Sequence, residues 1–468
     1  MKFLKFVPFL ILLSINCFAQ NRIQNLEKAF NNLLADEQTK HAITSLCVLD
    51  ANTGKVLFAK NEQIGLATAS TLKTITAATA FSILGKDFQF QTTLGYSGNI
   101  TPDGTLKGNL IIVGSGDPTL GSWRYQNKEN AVLTQWVTAI KAAGIKKIEG
   151  SIIGDDRIFG TQTTPEGWVW QDIGNYYGAG TSGLAWRENQ FDIHLKPGAS
   201  TADDVKIIKS VPETPHIQIV NELKTGASGS GDRTYAFLPP YSNVAYLRGT
   251  WGIGIGKSGI SVALPDPAFD CAYRLQDTLK RLGISTSQQA TTARLIELNK
   301  QSIPTITQKI NTISSPALSE ISYWFLKKSV NLYGETLLKT IALKSGKLAT
   351  TSKGAETEIN FWSAKGIDKS ALNIIDGSGL SPGDRVTTSA MANVLFQIQK
   401  ENWFPDFYKG LPEYNGMKIK SGTINDVSAF AGYHTDTAGN KYVIVININN
   451  YSGSGINKKL FRVLNELK

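Results

Sequence analysis

Histidine is scarce in this chain, and it forms no catalytic or metal-binding pattern. The four histidines among 468 residues are His41, His194, His216 and His434. There is no Glu-x-x-His pair, no second ligand at metal spacing, and no Gly-x-Ser-x-Gly elbow with a late histidine. The sequence therefore disfavours a metallohydrolase and a Ser-His-Asp hydrolase, and we predict neither a metal nor a cofactor.

Cysteine is equally rare. Three occur, and Cys17 falls in a predicted leader, which leaves Cys47 and Cys271 in the mature chain. Two cysteines in a large secreted chain do not make a disulfide framework. We predict that both are small buried hydrophobic side chains, and a pair between them stays open without being required.

Long apolar runs are also missing. Residues 6–15 form an apolar stretch that follows two lysines and is too short to span a bilayer. The small-x-small site Cys17-Phe18-Ala19 comes next, so residues 1–19 are predicted to be a signal peptide. We expect secretion across the inner membrane to the periplasm or cell envelope, with lipid modification of Cys17 as the alternative. No later segment is predicted to cross a membrane.

The composition is that of a globular protein with a basic balance. The chain is 41% hydrophobic and 18% charged, which excludes general disorder, and its length predicts two or three domains. A net charge of +10 without an Arg-rich run or zinc spacing argues against nucleic acid as the partner. It suits an anionic, extended partner such as an envelope polymer.

The most informative stretch is Ser70-Thr71-Leu72-Lys73, the one Ser-x-x-Lys in the sequence. It opens an apolar, Ala/Thr-rich run that predicts a buried helix over residues 71–84. Residues three apart share a helix face, so the Lys73 amine can reach the Ser70 hydroxyl. This pair is a nucleophile with its own base, although the same spacing also occurs on ordinary polar helix edges.

Two further motifs follow in a fixed order. They are Ser329-Val330-Asn331 and Lys420-Ser421-Gly422-Thr423. This triplet is typical of penicillin-binding proteins and class A β-lactamases. Two decoys are rejected by position: Lys224-Thr225-Gly226 runs into a Gly/Ser loop before the second motif, and Ser97-Gly98-Asn99 sits in a turn soon after the first.

The residue types specify a chemistry. Ser70 would attack a carbonyl, and Lys73 would take its proton once burial and the nearby cation Lys420 lower the pKa of Lys73. Ser329 could pass the proton to the leaving amine, and Asn331 could hold Lys73 or the substrate amide.

The third motif would bind the substrate. Lys420 and the hydroxyls of Ser421 and Thr423, with Gly422 between them, would hold a carboxylate. The backbone N–H groups of Ser70 and Thr423 would form the oxyanion hole. A peptide with a free carboxylate beside its scissile amide fits these groups.

The distribution of helical and strand-like segments along the chain predicts one α/β domain interrupted by an insertion. Helical and strand-like segments flank residues 88–262, which are rich in short strands and glycine turns with one helical interruption. We therefore assign residues 20–87 and 263–468 to the catalytic domain and 88–262 to mainly β inserted domains.

The chain resembles the low-molecular-mass class C penicillin-binding proteins, the D-alanyl-D-alanine carboxypeptidase/endopeptidase family with inserted domains. Beyond the three motifs, residues 114–120, Gly-Ser-Gly-Asp-Pro-Thr-Leu, and 376–381, Asp-Gly-Ser-Gly-Leu-Ser, look like signatures of that family. The resemblance implies an α/β (α+β) transpeptidase/β-lactamase-like domain that carries all three motifs and is interrupted by two inserted, mainly β domains. It also implies hydrolysis of D-Ala-D-Ala ends and cross-links in peptidoglycan, and acylation by penicillin.

The pocket for the side chain of the stem peptide is less well matched. Asp155 matches an acidic position that the family associates with the ammonium of a diamino acid, whereas Pro382 stands where many members have arginine. Arg385 lies nearby and is the candidate to compensate. Two other functions stay open: a β-lactamase, and a non-catalytic module that senses β-lactams or cell wall.

Overall fold

The computed structural model describes residues 7–468, with side chains from residue 21 onward. The predicted leader and Cys17 lie outside the described side chains. The chain forms two compact units. The first comprises the described part of Met1–Ser82 with Ser322–Ser329 and Ala355–Lys468, and the second comprises Ile83–Ile321 with Val330–Gly354.

The first unit is built on an antiparallel sheet of six strands, which we call the central sheet. Its inner strands are rich in β-branched residues, as expected of a surface that packs on both faces. The first strand in sequence pairs with the last, so that Ile43 lies opposite Asn449. The strands, in their order across the sheet, are Val56–Lys60, Ile43–Asp50, Lys441–Asn449, Val427–Thr435, Met417–Ile424 and Glu413–Tyr414.

One face of the central sheet is covered by the last helix, Ile456–Asn465, and by residues 23–34 of the first helix, Val7–Leu34. Phe30 and Leu460 share a fully buried hydrophobic cluster with Ile446 of the sheet. The apolar stripe of the last helix explains its position, because such a stripe has to be buried against another element.

The opposite face carries the helix Thr388–Ile398. Neighbouring residues of a strand point to opposite faces. Ser45 therefore turns away from the terminal helices, and its hydroxyl lies 2.6 Å from the hydroxyl of Thr388. Tyr433 donates to the carbonyl of Leu395 at 2.7 Å.

The helix Lys73–Leu84 is buried along almost its whole length. Its small alanines and threonines allow close packing on all sides, and the hydroxyls of Thr74 and Thr79 donate back to carbonyls of the preceding turn. Thr79 also accepts from the indole of Trp362 at 2.8 Å. Further elements that contribute to this unit are the helices Leu318–Lys327, Thr351–Ala364 and Phe404–Gly410 and the strands Leu372–Asn373 and Arg385–Val386.

The second unit holds several smaller sheets. The five-stranded sheet has the order Thr291–Thr292, Ile152–Asp155, Leu110–Val113, Gln91–Tyr96 and Gln308–Ser314. Two three-stranded sheets contain Lys206–Val211, Gln190–Lys196 and Gly259–Ala263, and Asn99–Ile100, Thr105–Lys107 and Lys147–Ile148. The four-stranded sheet contains Gln218–Asn221, Val244–Gly252, Lys224–Gly226 and Asp232–Phe237. The helices are Glu129–Ala142, Pro267–Arg281, Ala293–Leu298 and Asn331–Lys344.

The second unit extends beyond the predicted insertion. The sequence assigns residues 83–87, 263–321 and 330–354 to the catalytic domain, whereas the structure groups these segments with the second unit. The helix Pro267–Arg281 buries Leu275 in the same hydrophobic core as Trp136, and the strand Gln308–Ser314 closes one edge of the five-stranded sheet. The mainly β segment therefore completes its core with residues that follow it in sequence.

Cys47 and Cys271 are both buried and unpaired, as the sequence predicts for small hydrophobic side chains. Within residues 7–468, no helix is both long enough and apolar enough to traverse a bilayer.

Candidate active site

Ser70 and Lys73 lie within hydrogen-bonding distance of each other. Ser70 belongs to a 3-10 turn, Ala69–Leu72, and the α-helix begins at Lys73 rather than at the predicted residue 71. Side chains three apart are eclipsed in a 3-10 turn, which places the Lys73 Nζ 2.9 Å from the Ser70 Oγ. Lys73 is fully buried and Ser70 is half-buried, so the amine is shielded while the hydroxyl stays accessible.

The turn that carries Ser70 is held in an unusual conformation. Ala69 has a φ of +44°, in the left-handed region that disfavours residues with a Cβ. Two glycines pack directly against the turn. A Cβ on Gly379 would lie 1.9 Å from the Ala69 carbonyl oxygen, and one on Gly422 would lie 3.0 Å from the Ser70 nitrogen. Gly379 and Gly422 therefore pack against the strained Ala69 turn more closely than a residue with a Cβ could.

Lys73 has a second partner on a loop that the sequence links only to the family signature. We call residues 376–381 the Asp376 loop. The Ser378 carbonyl accepts from the Lys73 Nζ at 2.6 Å. The amine therefore lies between this carbonyl and the Ser70 hydroxyl.

Lys420 is a second buried lysine in the same unit. It lies on the strand Met417–Ile424, and its Nζ donates to the Ser421 carbonyl at 2.6 Å. Burial, and then the charge of Lys73, lower the pKa of Lys420 well below its ordinary value. Buried ammonium groups repel each other, so a positive charge on both lysines is disfavoured.

The rest of the third motif follows the alternation of its strand. Gly422 is buried against the Ser70 turn, whereas Ser421 is half-buried and Thr423 is exposed. Ser421 and Thr423 are thus open to solvent at the edge of the strand, and their contacts with substrate stay predictions.

Ser329 lies in the turn after the helix Leu318–Lys327, half-buried and with a φ of +57°. The same helix contributes Phe325, whose ring centre is 6.0 Å from the Lys73 Nζ. The chain therefore passes beside Lys73 one turn before it reaches Ser329.

Sequence comparison establishes the family. The D-Ala-D-Ala carboxypeptidase 3 (S13) family matches residues 26–416. The chain belongs to this family. The match ends before Lys420. The assignment of the third motif therefore rests on the order of the motifs and on the contact of Gly422 with the Ser70 turn.

Individual relatives agree with the family assignment. A D-alanyl-D-alanine carboxypeptidase of an Actinomadura species is 24% identical over 462 residues, 92% of this chain and 82% of the relative. D-alanyl-D-alanine carboxypeptidase DacB of Haemophilus influenzae is 26% identical over 431 residues, 88% of this chain and 86% of the relative. The crystal structure of penicillin binding protein 4 (dacB) from Haemophilus influenzae has a TM-score of 0.78 at 23% identity and covers 93% of this chain and 98% of that one.

These comparisons confirm the predicted resemblance, the α/β fold class and the assignment as a D-Ala-D-Ala carboxypeptidase, a serine peptidase. They favour this function over the β-lactamase and sensor alternatives.

Asn331 belongs to the second unit, although it follows Ser329 by two positions. It begins the helix Asn331–Lys344, and its amide donates to the Tyr177 carbonyl at 2.8 Å. One turn into this helix, the Tyr333 hydroxyl donates to buried Glu188 at 2.8 Å. Two segments of the second unit, at Tyr177 and at Glu188, therefore hold the start of the helix Asn331–Lys344.

Asp155 and Arg385, the candidates for the side-chain pocket, differ in environment. Asp155 is buried, and Arg157 pairs with both of its oxygens at 2.9 and 2.7 Å. Arg385 is exposed and donates to the Asp384 carbonyl at 2.9 Å. Asp155 is therefore already neutralised by an exposed arginine, and an ammonium would have to compete with that arginine.

The two decoys lie outside the first unit. Lys224 is exposed and pairs with Asp204 at 2.6 Å, and Ser97 precedes Gly98, whose φ is +88°. The Ser378 carbonyl and the close approach of Gly422 had no counterpart in the sequence predictions. The Asp-Gly-Ser-Gly-Leu-Ser signature was the one signal for the former.

Proposed function

We propose that this carboxypeptidase works through an acyl-enzyme on Ser70, with Lys73 as the base. The observation that carries the proposal is the 2.9 Å approach of the Lys73 amine to the Ser70 hydroxyl in a buried setting. A serine hydroxyl is a weak nucleophile until an adjacent base accepts its proton.

The reaction has two halves. Ser70 Oγ bonds to the carbonyl carbon of the penultimate D-Ala while its proton passes to Lys73. The amide C–N bond then breaks, and the leaving D-Ala amine receives a proton, for which Ser329 is the proposed relay. Water attacks the resulting ester, returns a proton to the site and releases the shortened peptide.

The remaining predicted residues are assigned to substrate binding. Lys420, Ser421, Gly422 and Thr423 would line the strand along which the terminal carboxylate lies, and we assign Asn331 to the substrate amide. Backbone N–H groups of Ser70 and Thr423 would stabilise the oxyanion, a contribution of about 3 kcal/mol for each donor.

The finer aspects of substrate and location are proposals as well. Asp155 and Arg385 are assigned to the side chain of the stem peptide. A D-Ala-D-Ala peptide resembles a β-lactam in presenting an amide beside a carboxylate, so penicillin is expected to acylate Ser70. The predicted leader supports action on peptidoglycan in the periplasm or cell envelope.

The test is to incubate the mature protein with a fluorescent penicillin and, in parallel, with a pentapeptide ending in D-Ala-D-Ala. We expect stable labelling and release of D-Ala, both lost in Ser70→Ala. Ser82→Ala is the matched control, because Ser82 lies on the helix that follows the Ser70 turn and donates to the Ala78 carbonyl. That variant should label and hydrolyse like the wild type.

Other outcomes select the alternatives. Rapid turnover of penicillin without a lasting label would indicate a β-lactamase. Labelling without peptide hydrolysis would indicate a sensor. Labelling of Ser70→Ala would show that the nucleophile lies elsewhere.

A further inference from the structure

The Asp376 loop is held by its first side chain. The Asp376 carboxylate accepts backbone N–H bonds from Ser378 at 2.9 Å, from Gly379 and from Ser381 at 2.7 Å. Both carboxylate oxygens take part, and Asp376 is fully buried. The carboxylate therefore sets the path of the backbone that presents the Ser378 carbonyl to Lys73.

A second buried carboxyl lies against the first. One oxygen of Asp384, Oδ1, accepts from the Ile375 N–H at 2.7 Å and from the Asp376 N–H at 3.3 Å. The bond from the Asp376 N–H brings the buried Asp384 carboxyl against the residue that carries the first carboxylate. Among the described residues, no donor reaches the other oxygen, Oδ2, of Asp384.

The orphaned oxygen identifies where a proton belongs. Two adjacent buried carboxylates cannot both be ionised at moderate cost. Asp376 is the better anion because N–H groups donate to both of its oxygens, so the proton falls on Asp384, whose Oδ2 then becomes a donor. Burial and the charge of Asp376 raise the pKa of Asp384 well above its ordinary value, in agreement with this assignment.

The neighbouring charges do not change the assignment. Glu358 is buried, and burial raises its pKa to about 8, so it adds no negative charge near neutrality. Arg385 is exposed and donates to the backbone carbonyl of Asp384 rather than to its carboxyl.

We propose that Asp376 and Asp384 share one proton and act as positioning residues, fixing the Asp376 loop so that the Ser378 carbonyl orients the Lys73 amine toward Ser70. With one N–H of the neutral amine donated to the Ser378 carbonyl, its lone pair can point toward the Ser70 hydroxyl. This inference rests on the proposed role of Lys73 as the base.

The shared proton predicts an asymmetry between two isosteric substitutions. In Asp384→Asn, the amide oxygen still accepts from Ile375 and Asp376, and the amide N–H₂ takes the place of the proton. In Asp376→Asn, one oxygen cannot replace two, and the N–H₂ group would face a backbone donor. Asp384→Ala removes the proton and the acceptor together.

The test measures the acylation rate constant with fluorescent penicillin at saturating concentration, along with the affinity of the noncovalent complex. Asp376→Asn should acylate about 100-fold more slowly and Asp384→Ala at least about tenfold more slowly, both with little change in affinity. Asp384→Asn should recover a rate within about threefold of the wild type. Counting labelled sites at the end point separates slow chemistry from loss of folded protein, which lowers the number of sites rather than the rate at each site.

Three results would overturn the inference: a wild-type rate in Asp376→Asn, an Asp384→Asn variant as slow as Asp384→Ala, or loss of labelled sites at an unchanged rate. If Asp376→Asn does not fold, the comparison of the acylation rates of Asp384→Asn and Asp384→Ala still tests the inference. Labelling that persists in Ser70→Ala would contradict the proposed function, whereas labelling that needs Ser70 but ignores Asp376 contradicts this inference alone.

Discussion

Gly422 packs directly against the backbone of Ser70. A Cβ at this position would lie 3.0 Å from the Ser70 nitrogen and 2.7 Å from the Thr68 carbonyl oxygen. The third motif therefore contributes the amine of Lys420 and also, at Gly422, a backbone without a side chain against which the Ser70 turn packs. Any added atom would have to move the strand or the turn.

Gly422→Ala is expected to reduce the acylation rate constant by about 100-fold, because a displacement of a fraction of an ångström misaligns Ser70 and its oxyanion donors. Stopped-flow labelling with fluorescent penicillin measures this rate constant. Gly256→Ala is the control, since a Cβ at that position meets no atom within 4 Å. A wild-type rate in Gly422→Ala would mean that the contact is not needed.

Lys73→Met is expected to slow acylation by about 10³-fold, because it removes the base and keeps most of the buried volume. Lys224→Met provides the comparison, since Lys224 begins a literal Lys-Thr-Gly but is exposed and paired with Asp204. Kinetics of D-Ala release report both. Equal losses in the two variants would contradict the choice of motif.

Glu358 is expected to make the folded state lose stability as the pH rises. Burial raises its pKa to about 8 from 4.5. Below pH 4.5, the folded and unfolded chains both hold the proton. Between these values the unfolded chain releases it first, so stability falls by ~1.4 kcal/mol per pH unit and levels off above the folded-state pKa.

Glu358→Gln should remove this dependence. Between about pH 5 and 8, the free energy of unfolding of the wild type should fall by on the order of 3 kcal/mol more than that of the variant. Urea titrations at both pH values measure the difference. Exposed Glu413→Gln should follow the wild type, and parallel behaviour of all three proteins would refute a buried neutral carboxyl.

Asp155→Asn tests the side-chain pocket. If Asp155 binds an ammonium, the variant should lose about tenfold in kcat/KM on a stem peptide with a free diamino-acid side chain. The same peptide with that amine acetylated should react unchanged. Arg157→Ala should improve the free-amine substrate by removing the competing guanidinium, and equal losses on both peptides would point to a structural role for Asp155.

The catalytic pair could be predicted because its geometry is local. Ser70 and Lys73 are separated by one turn, so their spacing implies their contact, and the order of the other motifs selects Lys420 over Lys224. The Asp376 loop could be recognised as a signature, but its function could not. A carbonyl such as that of Ser378 has no side chain to mark it, and only the fold places it 2.6 Å from Lys73.

Burial was the harder quantity to predict. The sequence directs attention to Arg385, which is exposed, whereas adjacent Asp384 is buried beside Asp376. Neighbouring charged residues look alike in sequence, and their environments depend on the packing around them. The helix Thr351–Ala364 was not predicted either. Its many polar residues and Gly354 obscure the helical pattern of the residues that become buried.

The pairing of Ile43 with Asn449 has a consequence for how the protein is made. The strand Ile43–Asp50 is synthesised long before its neighbour Lys441–Asn449, from which most of the described chain separates it. Contacts so distant in sequence form slowly and only after the intervening chain exists. The central sheet therefore cannot be completed until the strand Lys441–Asn449 has been made, and a chain cut short before that strand would carry Ser70 and Lys73 without the sheet that supports them.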